Sequence, residues 1–574
     1  MKKYNLCLVL LFSMIFALIS FEETEASAAG SNRKKPQNGI PVLYIDIDES
    51  QGTIDAMNSS PDHSVECHGT VSIKVPNGYK SEYTGKKVSD IENLKLDYIR
   101  GRGTSTWIIP KKKPYKIKFD ESVDLFGMGK NKHWVLLANA MDGTFLRNKI
   151  TYWLGDSMGM EYVMKSVPVE VVMNGNYRGL YYLCEHVRVG DNRIEIDELK
   201  EEDVDKDKIS GGYLIALNQY NYEETDDMFK TARDIRFHFD TPDFLEYKNT
   251  AQREYICDYI QKTENALFGE GFCDESGTSY KEYMDLESAA DYYLIQEFTR
   301  NQDAYSTTST YLYKKRGGKL YWGPIWDFDV STYGDSTQEH LEEYSDVEGF
   351  GPSMAWFERM KKDDEFIAIL KERWGVMNQK LVELTASGGQ LDKYYNQIKK
   401  AEARDANKWG FSGGTGSYQS EIEYLREWID NRRAWITNNL DSINALYASY
   451  ENMWIDGQWY GSHGSIDYSP QGEWKSNDAG WWYEDSSGWY PNNTWEQIDF
   501  TWYYFDENGY MAEDEWRDGY YLSKKGCMNY SGKAEWKKTG KGWRYEDKSG
   551  WYAKNSWLKI DGIWYQFDKD GYLK

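Results

Sequence analysis

Two acidic positions have the spacing to do chemistry. Asp303 lies in a polar segment after an apolar-periodic run, and Asp327 with Asp329 closes an aromatic run, Trp326-Asp327-Phe328-Asp329. A helix leading to an acid, then a hairpin, then an acid beside an aromatic is the layout of a phosphoryl-transfer site. One Asp there handles the substrate hydroxyl and the other holds Mg²⁺. The same residues also read as a helix and an edge hairpin carrying solvated acids, because hairpins that end in Asp are common. The elements that must position the acids are legible. Leu286, Ala290, Leu294 and Phe298 recur every four residues, and Ala289 and Tyr293 widen the stripe, which predicts a core-facing helix. It runs out at Arg300-Asn301-Gln302-Asp303. STYLYKK and KLYWGPIW follow as strand-like runs joined through Gly317-Gly318, a favoured hairpin turn.

Upstream, PVLYIDID, TVSIKV and LKLDYIRGRG read as strands. The turn Arg100-Gly101-Arg102-Gly103-Thr104 can bring backbone N–H groups close to phosphate oxygens. It lacks the GxxxxGK[ST] spacing of a Walker loop. In the run that follows, Tyr115, Ile117 and Phe119 share one face and Lys116 and Lys118 the other. That second face either presents a lysine to nucleotide phosphates or is a solvated basic edge that blocks aggregation, and the pattern alone favours the edge. Asp142-Gly143-Thr144 offers a cap for a helix through Leu146, Ile150, Trp153, Leu154 and Met158, with Arg147 and Asn148 near its start and Gly159 as its stop. VPVEVVM and YRGLYYLCE flank the hairpin signal Asn174-Gly175-Asn176 and finish at Glu185-His186. Helical patterns return over residues 354–384, 391–406 and 418–440.

At 574 residues the chain should hold more than one domain. A net charge of −25 argues against nucleic-acid binding and suits basic partners. Lys2 and Lys3 precede an apolar run from Leu6 to Ile19, and Ala26-Ser27-Ala28 supplies small residues for cleavage, so 1–28 reads as a secretion signal and 29–37 as a linker. No later run reaches the roughly 18 apolar residues of a membrane span. The five remaining cysteines are odd in number and widely spaced, without a CxxC, which argues against a zinc site or a dense disulfide framework. Cys257 with Cys273 is the one pairing worth considering. The seven histidines form no HExxH; His133, His186 and His238 sit among aromatic or apolar neighbours and read as structural.

From Trp454 the composition changes: 14 of the 24 tryptophans fall in the last 121 residues. GWWYEDSSGWYPNNTWEQID at 480–499 returns as GWRYEDKSGWYAKNSWLKID at 542–561, 62 residues later, and each runs into a WYxFDxxGY unit. Units of about 20 residues, each a short aromatic hairpin, cannot bury themselves alone and must stack as a solenoid. Trp481, Trp489, Trp495, Trp502, Tyr504, Trp543, Trp551, Trp557 and Trp564 are the candidates for pockets between neighbours, where aromatic walls attract quaternary ammonium groups or sugar faces. The alternative is that they only staple the solenoid, although an aromatic content this high exceeds what stacking needs.

Several blocks together resemble one family. RGRGTSTWxxPKKKPYKIKFD, GMGKNKHWVLLANAMDGTFLRNKI, NGNYRGLYYLCEHV, EFTRNQDAY, GPIWDFD and AEARDANKWG, in that order, are similar to the spore coat protein H (CotH) kinase family over about residues 38–442. The tail is similar to choline-binding, or cell-wall-binding, repeats. The resemblance implies an α+β fold: an atypical protein-kinase-like two-lobed domain at 38–445, then an all-β solenoid of aromatic hairpins at 450–574. It implies transfer of the ATP γ-phosphate to Ser or Thr of a basic protein substrate, with Mg²⁺ or Mn²⁺. Asp303 matches the catalytic-loop acid and Asp327 the metal acid. Lys118 is the closer match to the phosphate-holding lysine, with Lys116 the alternate, while Arg102, Arg147, Asn148 and Glu185 are further nucleotide-binding candidates. The chain departs from the pattern twice. It has no HRDxxxxN string, which leaves Asp329 as the candidate second metal ligand. It has Tyr305-Ser306-Thr307-Thr308 where the family often has an arginine. For the tail the resemblance implies choline-bearing teichoic acid or another cell-wall glycan as partner, hence a secreted protein of the cell wall or spore surface. The rival readings are a pseudokinase, adhesin or spore-coat structural protein on the same scaffold, and a nucleotide-sugar transferase with Asp327-Phe328-Asp329 as its DxD.

Overall fold

The computed structural model describes residues 37–218, 225–233, 235–246, 249–301, 309–330, 332–334, 337–338, 354–440, 452–455, 457–460, 468–499, 501–530, 533–547 and 551–574. The secretion signal, most of the linker, Asp303 and Tyr305 to Thr308 lie outside the described residues.

Seven strands close into a barrel: β1 (Val42–Ile47), β2 (Cys67–Lys74), β3 (Ile91–Gly101), β4 (Tyr115–Asp124), β5 (Lys130–Leu137), β6 (Ser166–Met173) and β7 (Asn176–Glu185), in the order β1-β2-β3-β4-β5-β7-β6. Parallel pairing of β1 with β6, Leu43 opposite Val171, makes the closure. Each strand alternates, so Ile45, Ile99, Ile117, Trp134, Val169 and Leu183 fill the interior. The β6–β7 turn is as the sequence predicts: Asn174 and Gly175 both take positive φ, 45° and 79°, which a two-residue hairpin requires. At the end of β3, Gly101 has a different reason to be glycine. A Cβ there would lie 2.5 Å from the indole of Trp107, whose Nε1 donates to the Ser60 carbonyl at 2.9 Å.

On the outside of the barrel Val135, Leu137, Leu180, Tyr182 and Cys184 are also buried, because a second unit packs on them and shares its core with them. That unit holds a five-stranded sheet of β8 (Tyr213–Leu217), β9 (Met228–Lys230), β10 (Arg236–Thr241), β11 (Tyr311–Lys314) and β12 (Leu320–Trp322), ordered β12-β11-β8-β10-β9. The unit also holds helices Thr250–Phe268, Leu286–Thr299, Asp364–Thr385, Gln390–Trp409 and Tyr418–Asn439, of which Gln390–Trp409 packs on β7 of the barrel. The predicted helix is Leu286–Thr299; Asp285 caps it by accepting the Ser288 N–H, and Arg300 ends it in a left-handed conformation. Two buried ion pairs tie the parts together. Glu297 meets Arg432 of the last helix at 2.9 Å with both side chains fully buried. Lys112 meets Asp405 at 2.8 Å, and the same carboxylate accepts the Leu180 N–H of β7 at 2.7 Å. Removing one partner of such a pair costs roughly 3–5 kcal/mol, since the other charge is left buried alone.

After the helices the tail is a series of aromatic-rich hairpins, among them Gly472–Asn477 with Gly480–Asp485 and Glu535–Thr539 with Gly542–Glu546. The 62-residue repeat recurs in space: Trp454 stacks on Trp489 with centroids 5.6 Å apart, and Trp516 on Trp551 at 4.7 Å.

The strand patterns do not announce the closed barrel of the N-terminal part. One expectation changes. Cys257 and Cys273 are free thiols. Cys257 lies 11 residues before the end of its helix at Phe268, about 16 Å along the axis, while Cys273 follows that end, too far for a bond.

Candidate functional site

The acidic loop after β12 is clamped from two sides. Asp327 has φ +70°, a conformation costing a non-glycine residue roughly 1–2 kcal/mol. Its carbonyl accepts from Asn301 Nδ2 at 3.1 Å, and the next peptide N–H, of Phe328, donates to Asn148 Oδ1 at 2.8 Å. At about 1 kcal/mol net each, these bonds offset the backbone cost. Asn148 is 5% exposed in the helix Arg147–Met158, so the barrel-side helix holds the loop of the second unit. That helix starts on Asp142, whose carboxylate accepts the Thr144 and Arg147 N–H groups at 2.9 and 3.0 Å. Phe328 and Trp326 anchor the loop against Tyr152 at 6.3 and 6.1 Å between ring centroids.

The carboxyls of Asp327 and Asp329 hydrogen-bond each other. Burial pushes Asp329 up to about 8; the charge of Asp327, the bond between the two and the charge of Asp142 push the same way, and Arg102 pulls back. Ser309 Oγ donates to Asp327 Oδ2 at 3.0 Å. Thus the chain leaves the described residues at Asn301 and re-enters at Ser309, with both ends against Asp327.

The barrel's outer face carries a row of cations, and Arg102 links it to the acidic loop. Register puts Arg100 opposite Lys116, Lys116 opposite Val135, and Val135 opposite Cys184, so these side chains share the outer face of the barrel toward the second unit. Arg102, on the glycine turn, lies 5.6 Å over the Trp326 ring. Arg188 follows β7 beyond His186. Burial, then repulsion from Arg100, Arg188 and Arg102, lowers Lys116 to about 8. Burial, then Arg188, Lys116 and Lys118, push His133 to about 3, and burial, then Lys116 and Arg102, push His186 well below the ordinary imidazole range. Lys116, Arg102 and Arg188 make no ion pair or hydrogen bond among the described residues, and His133 Nδ1 and His186 Nδ1 are buried without a partner.

The lysine favoured from sequence lies elsewhere in this arrangement. Lys118 is one step further along β4, partly exposed, and its Nζ pairs with Asp97 at 2.6 Å, as the solvated-edge reading describes. Lys116 occupies the cation row. Glu185 is in a buried pair with Arg193 at 2.7 Å, and burial raises it to about 7. Arg147 leans on Asp142, its Nε 3.5 Å from the carboxylate. The site therefore brings together Asp327, Asp329, Arg102, Lys116 and Asn148, and leaves out Lys118 and Glu185. Sequence reading missed Ser309, Asn301, Arg188 and the two histidines as site residues, while its cap at Asp142 is where the structure has it. Continuing the β7 alternation, Leu180, Tyr182, Cys184, His186 and Arg188 fall on one face, and that signal was available.

The residues present fit a metal–polyphosphate group. The unpartnered cations and orphaned imidazole nitrogens suit phosphate oxygens, and the all-oxygen set of Asp327, Asp329 and Ser309 suits Mg²⁺ or Mn²⁺. No cluster of three or more His, Cys, Asp or Glu able to hold a metal occurs among the described residues.

In the tail the nine candidates divide. Trp557 and Trp564 are 59% exposed, and Trp481, Trp489, Trp502 and Trp543 are exposed as well. Tyr504 is buried with its hydroxyl donating to Asn493 at 2.8 Å, Trp551 stacks on Trp516, and Trp495 Nε1 donates to Asp518 at 2.8 Å. These last three staple the solenoid.

Fold and site define an α+β protein that sets a clamped acidic loop against unpaired cations and carries a tail of aromatic hairpins. The CotH kinase protein family matches residues 99–436, more than half of the chain, and the chain belongs to that family. No curated protein matches it. Among solved structures, the modular autolysin LytC from Streptococcus pneumoniae, in complex with a synthetic peptidoglycan ligand, is 32% identical over 21% of this chain and 28% of its own, with a TM-score of 0.12. The cell wall endolysin from phage Cp-1, complexed with choline, is 33% identical over 20% of this chain and 34% of its own, with a TM-score of 0.11. The chain covers only about a third of these proteins' lengths, and TM-scores of this size establish no shared fold.

The raised Asp329 makes stability depend on pH. The folded protein holds this proton where the unfolded chain has lost it, so stability is full below about pH 4 and declines as pH rises toward 8, by up to about 1.4 kcal/mol per unit. In metal-free protein, urea unfolding at pH 5, 6, 7 and 8 should show that decline, and Asp329→Asn should flatten it. Equal slopes in both proteins would contradict the buried shared proton.

Proposed function

We propose that this chain is an exported atypical protein kinase that transfers the ATP γ-phosphate to protein Ser or Thr hydroxyls and is tethered to the cell surface by its tail. The observation that carries the reading is Arg102, whose charge acts both on Asp329 of the clamped acidic loop and on Lys116 of the barrel's outer face, where Arg188 also acts on Lys116. Half-buried cations left unpaired repel one another, and a bound polyphosphate removes that cost. Lys116 and Arg188 would hold phosphate oxygens, and Arg102 would brace the glycine turn against Trp326. Asp327 would hold Mg²⁺ or Mn²⁺, which when bound neutralises phosphate charge and bridges the phosphates. Asp303, through the family resemblance, would take the substrate hydroxyl's proton. The net charge of −25 favours a basic substrate.

The test is labelled ATP with Mn²⁺ or Mg²⁺ on a basic, Ser-rich protein, using the full secreted chain. Asp327→Ala should lower transfer at least a hundredfold, Lys116→Met should do likewise, and Lys118→Met should stay within a few-fold of wild type. Labelling by Asp327→Ala at the wild-type rate would refute the kinase reading. Mg·ATP binding without transfer in wild type would favour the pseudokinase, and binding of a UDP-sugar but not ATP the sugar transferase.

For the tail, the exposed indoles support capture of a quaternary ammonium group such as the choline of teichoic acid, with a cell-wall glycan as the other ligand. On a choline-type resin the chain should be retained and eluted by free choline. Trp564→Ala should weaken retention at unchanged unfolding temperature, whereas Trp551→Ala should lower that temperature. Retention indifferent to free choline would point to glycan.

A further inference from the structure

The pattern of the family leaves Asp327 without an obvious second protein ligand, and Ser309 stands where one is needed. Its hydroxyl lies 3.0 Å from Asp327 Oδ2. Both residues have positive φ, +55° for Ser309 and +70° for Asp327, on separate segments that converge on each other. Backbone outliers of this sort cluster at ligand clamps, where the surrounding structure holds them in place. Here it does so on both sides. Asn148 and Asn301 fix the peptides around Asp327. Next to Ser309, Thr310 is fully buried; its carbonyl accepts the Leu217 N–H at 2.9 Å and its hydroxyl accepts from Tyr292 at 2.8 Å.

Neighbouring oxygens in an octahedral Mg²⁺ shell with bonds of about 2.1 Å lie about 3.0 Å apart, the separation already present between the two side chains. A cation can take the place of the hydroxyl hydrogen between them while neither segment moves. A serine hydroxyl beside an aspartate is also a sound donor pair for a metal bridging phosphates. Resting on the phosphotransfer reading above, we propose that Ser309 Oγ is the second protein ligand of the metal held by Asp327. Asp329 then supports Asp327 through their mutual hydrogen bond and does not itself coordinate.

A thiol swap separates a ligand from a residue that merely orients Asp327. In the full-length chain Ser309→Cys should bind Mn²⁺ at least tenfold more weakly, followed by electron paramagnetic resonance, and Cd²⁺ at least tenfold more tightly. On Cd²⁺ addition it should gain an ultraviolet thiolate-to-cadmium band over wild type, which carries the same other cysteines. Adding Asp327→Asn should abolish that extra band, and Ser309→Thr, which keeps the hydroxyl, should bind Mn²⁺ as wild type does. No extra band in Ser309→Cys, or Mn²⁺ affinity within twofold of wild type in Ser309→Ala, overturns the assignment of Ser309. Unchanged Mn²⁺ affinity in Asp327→Asn overturns the metal-site reading itself, so the two failures are distinguishable.

Discussion

The hydrogen bond from the Phe328 N–H to the Asn148 carboxamide is the contact on which the site depends. It spans 180 residues of sequence and joins the helix between β5 and β6 of the barrel to the loop after the second sheet. It acts with the packing of Trp326 and Phe328 on Tyr152 of the same helix to fix the acidic loop against the barrel side. A carboxylate meant for a metal must be held to within about half an ångström, and a left-handed Asp327 between two asparagines is held that way by backbone contacts, with Ser309 donating to its side chain.

The barrel supplies the opposing field. Closing β1 onto β6 fixes the tilt of β3, β4 and β7, and their register aligns Arg100, Lys116 and Cys184 on the face that meets the second unit. One residue of register in β4 separates the interior Ile117 from the cleft-facing Lys116, and two residues separate Lys116 from the solvated Lys118. Short steps of this kind decide which lysine sits among the arginines and which pairs with Asp97. Burial first, and the neighbouring cations second, push Lys116, His133 and His186 down.

Local patterns in the sequence were reliable guides. The four-residue stripe gave the helix Leu286–Thr299 to within a residue, Asn174-Gly175 marked its hairpin, and the 62-residue repeat appears as paired indole stacks. What the sequence concealed depends on distant pairing. Barrel closure brings Leu43 to Val171, and no local periodicity records that. Alternation alone puts Lys116 and Lys118 on one face; only the neighbouring strands, Arg100 on one side and Asp97 near the other lysine, tell them apart. Ser309 carries no motif, and its importance comes wholly from the 3.0 Å it keeps from an acid 18 residues away. In the tail, repetition identifies the aromatics but not which are staples: Trp551 and Trp489 occupy equivalent places, yet one is half-buried and the other 40% exposed.

The central claim is that the Asp327 loop and the cation row form one metal–polyphosphate site. Anomalous scattering from crystals grown with Mn²⁺ and a non-hydrolysable ATP analogue tests it most directly. The account predicts a single strong manganese peak within bonding distance of Asp327, with analogue phosphates between it and Lys116. A peak on other residues, or phosphates bound away from Lys116 and Arg188, would contradict it.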